Sequence, residues 1–143
     1  MEETATALNS GAIALLRAVR RVDRETGLPP AQLSALSVLV FGGPRSLGAL
    51  AAAEDVAGPT MTRIVDGLAG RGLVERQRSG DRRSVLVVAT PAGRTLMRAG
   101  RRRRVEVLTE ALGALSTADR RRLAAAAPLL ELLAAEVRDR SQS

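Results

Sequence analysis

The sequence predicts a mostly α-helical fold carrying one β-hairpin, and three observations lead there. Ala (25) and Leu (21) dominate an apolar fraction of 45% over 143 residues, a composition suited to thin, closely packed helix interfaces. Apolar residues recur at alternating three- and four-residue steps near both ends of the chain, the period of an amphipathic helix. The one run rich in β-branched residues, Val85-Leu86-Val87-Val88, follows a turn-rich stretch in the middle, which marks a hairpin. The length suits a single ordinary domain with a real core.

Leu8, Ala12, Leu15, Val19 and Val22 form the stripe of a first helix, with Arg17, Arg20, Arg21 and Arg24 off that stripe; such a seam is built for another helix. Gly27-Leu28-Pro29-Pro30 ends it, and the two prolines open a second helix with Leu33, Leu36, Val40 and Phe41. Gly42-Gly43-Pro44 stops that helix, and Ser46 is placed to cap a short third helix over residues 47–54 that buries Leu47, Leu50 and Ala51. After the tight connection Asp55-Val56-Ala57-Gly58, a fourth helix starts at Pro59. Met61, Ile64, Val65 and Leu68 stand at i, i+3, i+4 and i+7 and face inward. Projection at 100° per residue puts Pro59, Arg63, Asp66 and Gly70 on the opposite face, with Thr60 and Thr62 on its flanks.

Gly72 caps the fourth helix, and residues 73–78 and 84–89 form two strand-like runs around Ser79-Gly80-Asp81-Arg82. Thr90 as cap and Pro91 as first helical residue begin a long fifth helix through Gly113. Ser116-Thr117-Ala118-Asp119 resembles a capping box with Asp in place of Glu and opens the last helix. That helix carries Leu123, Ala127, Leu130, Ala134 and Val137, and Pro128 is expected to kink it. Within the single domain 1–143, residues 1–30 are read as an N-terminal dimerisation helix and 31–94 as the central lobe. Residues 95–143 supply the long helix and a C-terminal dimerisation helix, because the terminal segments carry more apolar surface than the small lobe can cover.

Charge localises the function. All 22 basic residues are Arg, and the chain has no His or Cys and only one aromatic residue, Phe41. Thiol chemistry, imidazole catalysis, a His-ligated metal and a Walker lysine are therefore excluded. No enzyme, cofactor or metal site is expected, since no base or metal ligand stands near a paired carboxylate such as Glu54 and Asp55. Residues 55–104 hold twelve Arg against four acids, whereas the rest hold ten against eleven. A cationic middle between near-neutral ends is the footprint of a polyanion-binding module. No secretory leader or membrane span is expected either, which places the protein in the cytoplasm, associated with the nucleoid.

The order helix, turn, helix, hairpin, helix from Ser46 to Arg94 is that of a winged helix-turn-helix. The wording is specific: Leu50-Ala51-Ala52-Ala53-Glu54-Asp55-Val56, then Pro59-Thr60-Met61-Thr62-Arg63-Ile64-Val65-Asp66-Gly67-Leu68, Gly72-Leu73-Val74, Asp81-Arg82-Arg83 and Thr90-Pro91-Ala92-Gly93-Arg94. In this order and spacing the segments resemble the MarR family of bacterial transcriptional regulators. Where that family often has Gly in the turn this chain has Asp55, which tolerates a left-handed conformation. The usual polar cap of the recognition helix is replaced by Ala57 and Gly58.

The resemblance implies a homodimeric, sequence-specific regulator, ordinarily a ligand-responsive repressor, that binds double-stranded DNA at a pseudo-palindrome. By matching position, Ser46, Pro59, Thr60, Thr62 and Arg63 fall on the DNA-facing elements, with Arg63 able to give a guanine a bidentate contact. Arg83 would enter the minor groove with Asp81 orienting it, and Arg76, Arg78 and Arg82 would serve the phosphates. A small lipophilic or anionic effector would lie against Leu15, Val19, Leu36, Val40 and Phe41. The alternative from the charge alone is a sequence-neutral architectural DNA-binding protein. A helical interaction module without nucleic acid fits less well with the polar outward face of the fourth helix and the arginine-rich hairpin.

Overall fold

A computed structural model describes residues 1–78, 80 and 85–141. The chain divides into two compact units, Met1–Arg104 and a second that begins at Val105. In the first unit, helix α1 (Glu2–Asp23) carries Glu2 and Glu3 in its first turn and Arg20 and Arg21 in its last. Acids at the N-terminus and bases at the C-terminus complement the helix dipole. One 3₁₀ turn (Arg24–Thr26) follows, closed by Gly27 at φ 70°. Helix α2 (Pro30–Gly42) begins on the expected proline and buries Leu33, Ala35, Leu36 and Leu39.

Strand β1 (Arg45–Ser46) comes next and differs from the sequence expectation of a lone hairpin. It pairs with β3 (Val85–Ala89), which also pairs with β2 (Val74–Arg78), giving an antiparallel sheet of order β1-β3-β2. Two residues after a proline carry no readable period, so only the ladder partners Val87 and Leu86 reveal that they are a strand.

Helix α3 (Leu47–Ala53) and helix α4 (Gly58–Gly70) form the helix-turn-helix. Both end by the same device. After α3 the Val56 amide donates to the Ala51 carbonyl and Asp55 to Ala52, with Asp55 left-handed at φ 52°. After α4 the Leu73 amide donates to Leu68 and Gly72 to Ala69, with Gly72 at φ 71°. These are Schellman closures, which satisfy the last carbonyls and turn the chain sharply. Asp55 therefore does the work of the expected glycine.

The core of this unit gathers the fully buried Leu36, Leu50, Met61, Val65, Leu68 and Val87 from α2, α3, α4 and β3. Each such side chain contributes about 1.5–3 kcal/mol by leaving water. Helix α5 (Pro91–Gly113) is joined to it at Thr90. The Thr90 hydroxyl accepts from the Gly93 amide at 3.1 Å and donates to the Gly72 carbonyl at 2.6 Å. A Cβ on Gly93 would collide with the Leu73 carbonyl oxygen. Arg94 donates back to the Ala89 carbonyl at 2.7 Å, so the run Thr90-Pro91-Ala92-Gly93-Arg94 fastens β3, the end of α4 and α5 together.

The second unit comprises the distal part of α5 and helix α6 (Thr117–Ser141), which continues through Pro128. Ser116 caps α6 by accepting from the Asp119 amide at 3.1 Å, and its hydroxyl donates to the Asp119 carboxylate at 2.7 Å. Among the described residues from 105 to 141 none is buried. No helix among the described residues is long and apolar enough to cross a membrane.

Candidate nucleic-acid interface

Helix α4 is held from behind and open in front. Met61, Val65 and Leu68 are fully buried and Ile64 is half-buried, which fixes the rotation of the helix. That rotation leaves Pro59, Thr60, Arg63, Asp66 and Gly70 exposed, as the sequence projection expects, with Thr62 half-buried. The Thr62 hydroxyl donates to the Gly58 carbonyl at 3.1 Å, so its methyl and oxygen have a fixed direction at the start of the helix. Ser46 is engaged in two ways: its backbone pairs with Leu86, and its hydroxyl accepts from the Ala49 amide at 3.1 Å.

Strand β2 brings Arg76 and Arg78 to the same side. Along β2, Val74, Arg76 and Arg78 share one face and Glu75 and Gln77 the other, because side chains alternate. Val74 is buried in the core, which turns the face bearing Arg76 and Arg78 toward α4. Arg76 realises this with an ion pair to Asp66, Nη2 to Oδ1 at 2.5 Å. Helical spacing would also let Asp66 pair with Arg63, one turn away; in the structure its partner is Arg76 of the wing. Ten residues of separation hide this pair from a periodicity reading, although strand alternation with Val74 already places Arg76 on the helix side. Arg63 and Arg78 are exposed and make no ion pair among the described residues. Asp81, Arg82 and Arg83 lie outside the described residues.

A family model for the MarR family matches residues 26–84. Over a longer span, an HTH-type transcriptional regulator of Mycobacterium tuberculosis is 38% identical across 133 residues, covering 92% of this chain and 93% of that protein. An uncharacterized HTH-type transcriptional regulator of Mycobacterium leprae is 39% identical across 131 residues, covering 90% and 92%. The chain belongs to the MarR family. A MarR family protein from Bacillus stearothermophilus has the same fold, with a TM-score of 0.81 over 95% of this chain and 94% of that one at 24% identity. This MarR-family chain is thus a transcriptional regulator with a winged helix-turn-helix, and its relatives are named for regulation rather than for catalysis.

The first unit of this regulator also contains a groove of about 530 Å³ lined by residues that include Arg20, Asp23, Arg24, Leu28, Leu33 and Arg104. The Arg104 Nε donates to the Asp23 carboxylate at 2.6 Å within it. None of the five residues expected to meet an effector lines this groove. Leu36 is consumed by the core, Val19 and Val40 are half-buried, and Leu15 and Phe41 are exposed. Phe41 instead carries the Arg101 guanidinium 4.9 Å above its ring centroid, a cation–π contact. The run Arg101 to Arg104 is largely spoken for, since Arg103 also pairs with Glu25 at 2.7 Å.

Proposed function

We propose that this MarR-family regulator acts as a homodimer in the cytoplasm, reading a pseudo-palindromic operator with α4 in the major groove and the wing in the adjacent minor groove. The observation that carries this is the division of α4 into a buried rear and an outward face of Pro59, Thr60 and Arg63, the last without an ion pair among the described residues, beside a strand that presents Arg78. A narrow polar helix face with one exposed guanidinium fits guanine readout, and flanking arginines fit phosphate. Ser46 and Thr62, at the entrances of α3 and α4, would meet backbone phosphates, as would Arg82. Arg83, oriented by Asp81, would reach the minor groove.

The uncovered apolar residues of α1 and α6 support the two-fold assembly. Leu15 and Leu16 on one, and Leu129, Leu130 and Leu133 on the other, are all exposed in the single chain. Repression relieved by a small effector is the regulatory reading, and the groove beside Arg104 is the place for it. Three arginines against one aspartate over an apolar floor of Leu28 and Leu33 suit an organic anion with a lipophilic body.

The test is binding of the purified protein to the promoter fragment upstream of its own or a neighbouring gene, against random DNA of equal length at physiological salt. A preference of roughly 10³-fold or more is expected. Equal affinity for both would leave only the sequence-neutral architectural reading.

A further inference from the structure

We infer that Arg76 and Asp66 form a positioning pair that sets DNA specificity: Arg76 fastens the wing strand to the recognition helix and keeps the Asp66 carboxylate off Arg63, and it does not neutralise a phosphate. This rests on reading α4 and the wing as the DNA-binding surface.

Asp66 is the only acid on α4, and it stands on the outward face with the residues proposed to meet DNA. A lone carboxylate facing a polyanion opposes binding. Arg63, three residues earlier on the same face, is within ordinary helical pairing distance of it. An Asp66–Arg63 pair would tie up the guanidinium best placed to read a base. In the structure Asp66 is held by Arg76 across ten residues of sequence, and Arg63 has no ion pair among the described residues.

The Arg76 backbone is fixed in turn by the ladder opposite Val87, a fully buried residue at the centre of the sheet. The pair therefore joins two rigid elements rather than two flexible tips. Its side chains remain 39% and 59% exposed, so water competes for both partners and the pair adds little to folding. Its use is the distance and angle between helix and wing, which decide whether both reach their grooves at once.

A duplex selected from a random pool by the wild-type protein serves as the specific probe, and a scrambled duplex of equal length as the non-specific one. Arg76→Ala is expected to bind the selected duplex about tenfold more weakly with an unchanged slope of log affinity against log salt. Asp66→Asn is expected to bind it several-fold more weakly as well, although it removes a negative charge, and to bind the scrambled duplex at least as tightly as wild type. The double variant Asp66→Asn/Arg76→Ala should bind the selected duplex better than Arg76→Ala alone, because Arg63 is no longer captured.

A phosphate contact would give the opposite pattern. The salt slope would fall by about one for Arg76→Ala, and Asp66→Asn would tighten both duplexes; either result overturns the pair's role. Circular dichroism melts check folding, and Arg76→Gln carries the same salt-slope test if Arg76→Ala does not fold. A wild-type selection that enriches no sequence overturns the sequence-specific reading itself, and the pair's role with it.

Discussion

The two units are built from similar leucine- and alanine-rich sequence yet use it in opposite ways. In Met1–Arg104, leucines at helical spacing close on each other, and Leu36, Leu50 and Leu68 are fully buried. From Val105 onward, Leu123, Leu130 and Val137 keep the same spacing and stand 48%, 51% and 56% exposed. Helix α1 shares the second habit, with Leu8, Ile13 and Leu15 open. The period of a stripe therefore tells which face seeks an apolar partner, but not whether that partner lies in the same chain. A stripe that the chain itself leaves bare is where a second copy is expected.

The strongest way to break that comparison is to make the same substitution in both units. Leu36→Ala should cost about 2–5 kcal/mol through lost burial and a residual cavity. The loss should be the same at every protein concentration, as read by urea unfolding of dilute and concentrated samples. Leu130→Ala should leave dilute protein little changed and weaken dimer formation about tenfold or more, the equivalent of roughly 1.4 kcal/mol. Sedimentation across a concentration series measures it. If Leu130→Ala shifts unfolding equally at all concentrations, α6 is covered from within and the contrast between the units fails.

A smaller effect tests how tightly the first unit is closed. Gly93→Ala drives a methyl into the Leu73 carbonyl oxygen, and the backbone there has no side-chain end that can swing away. A destabilisation of about 1–3 kcal/mol is expected, seen as a lower midpoint in chemical denaturation. By contrast Gly113→Ala, where no described atom beyond its chain neighbours and its own helix backbone comes within 4 Å of the added methyl, should be neutral or mildly stabilising. Equal effects at the two glycines would show that the wing-to-α5 junction is looser than the structure describes.

Much of this architecture is legible in the sequence because it is local. Ser46, Thr90 and Ser116 are found as caps because each is a hydroxyl residue at the entrance to a helical run, and each accepts from the backbone amide three residues on. The burial of Met61, Val65 and Leu68 follows from their spacing alone. The features that escape are the ones joining distant segments. Strand β1 is two residues long, and the Asp66–Arg76 pair links a helix to a strand. Gly93 stands out as part of a motif, but its reason, the Leu73 carbonyl, lies twenty residues away. The groove gathers α1, α2 and α5, so no single stripe points to it, and a leucine such as Leu36 is claimed by the core first.

The finest test of the comparison uses two serines with the same job. Ser46 caps α3 and Ser116 caps α6, each accepting an amide three residues on at 3.1 Å. Removing such a cap costs typically about 1 kcal/mol. Ser46→Ala should show that cost at any protein concentration, because α3 carries Leu50 into the core of its own chain. Ser116→Ala frays the start of a helix on which no described residue is buried. Its cost should therefore emerge only where dimers form, as a melting temperature that falls below wild type at high concentration and converges with it on dilution. Should both variants lose the same stability at every dilution, the second unit folds as independently as the first, and its bare leucines need another explanation than a second copy.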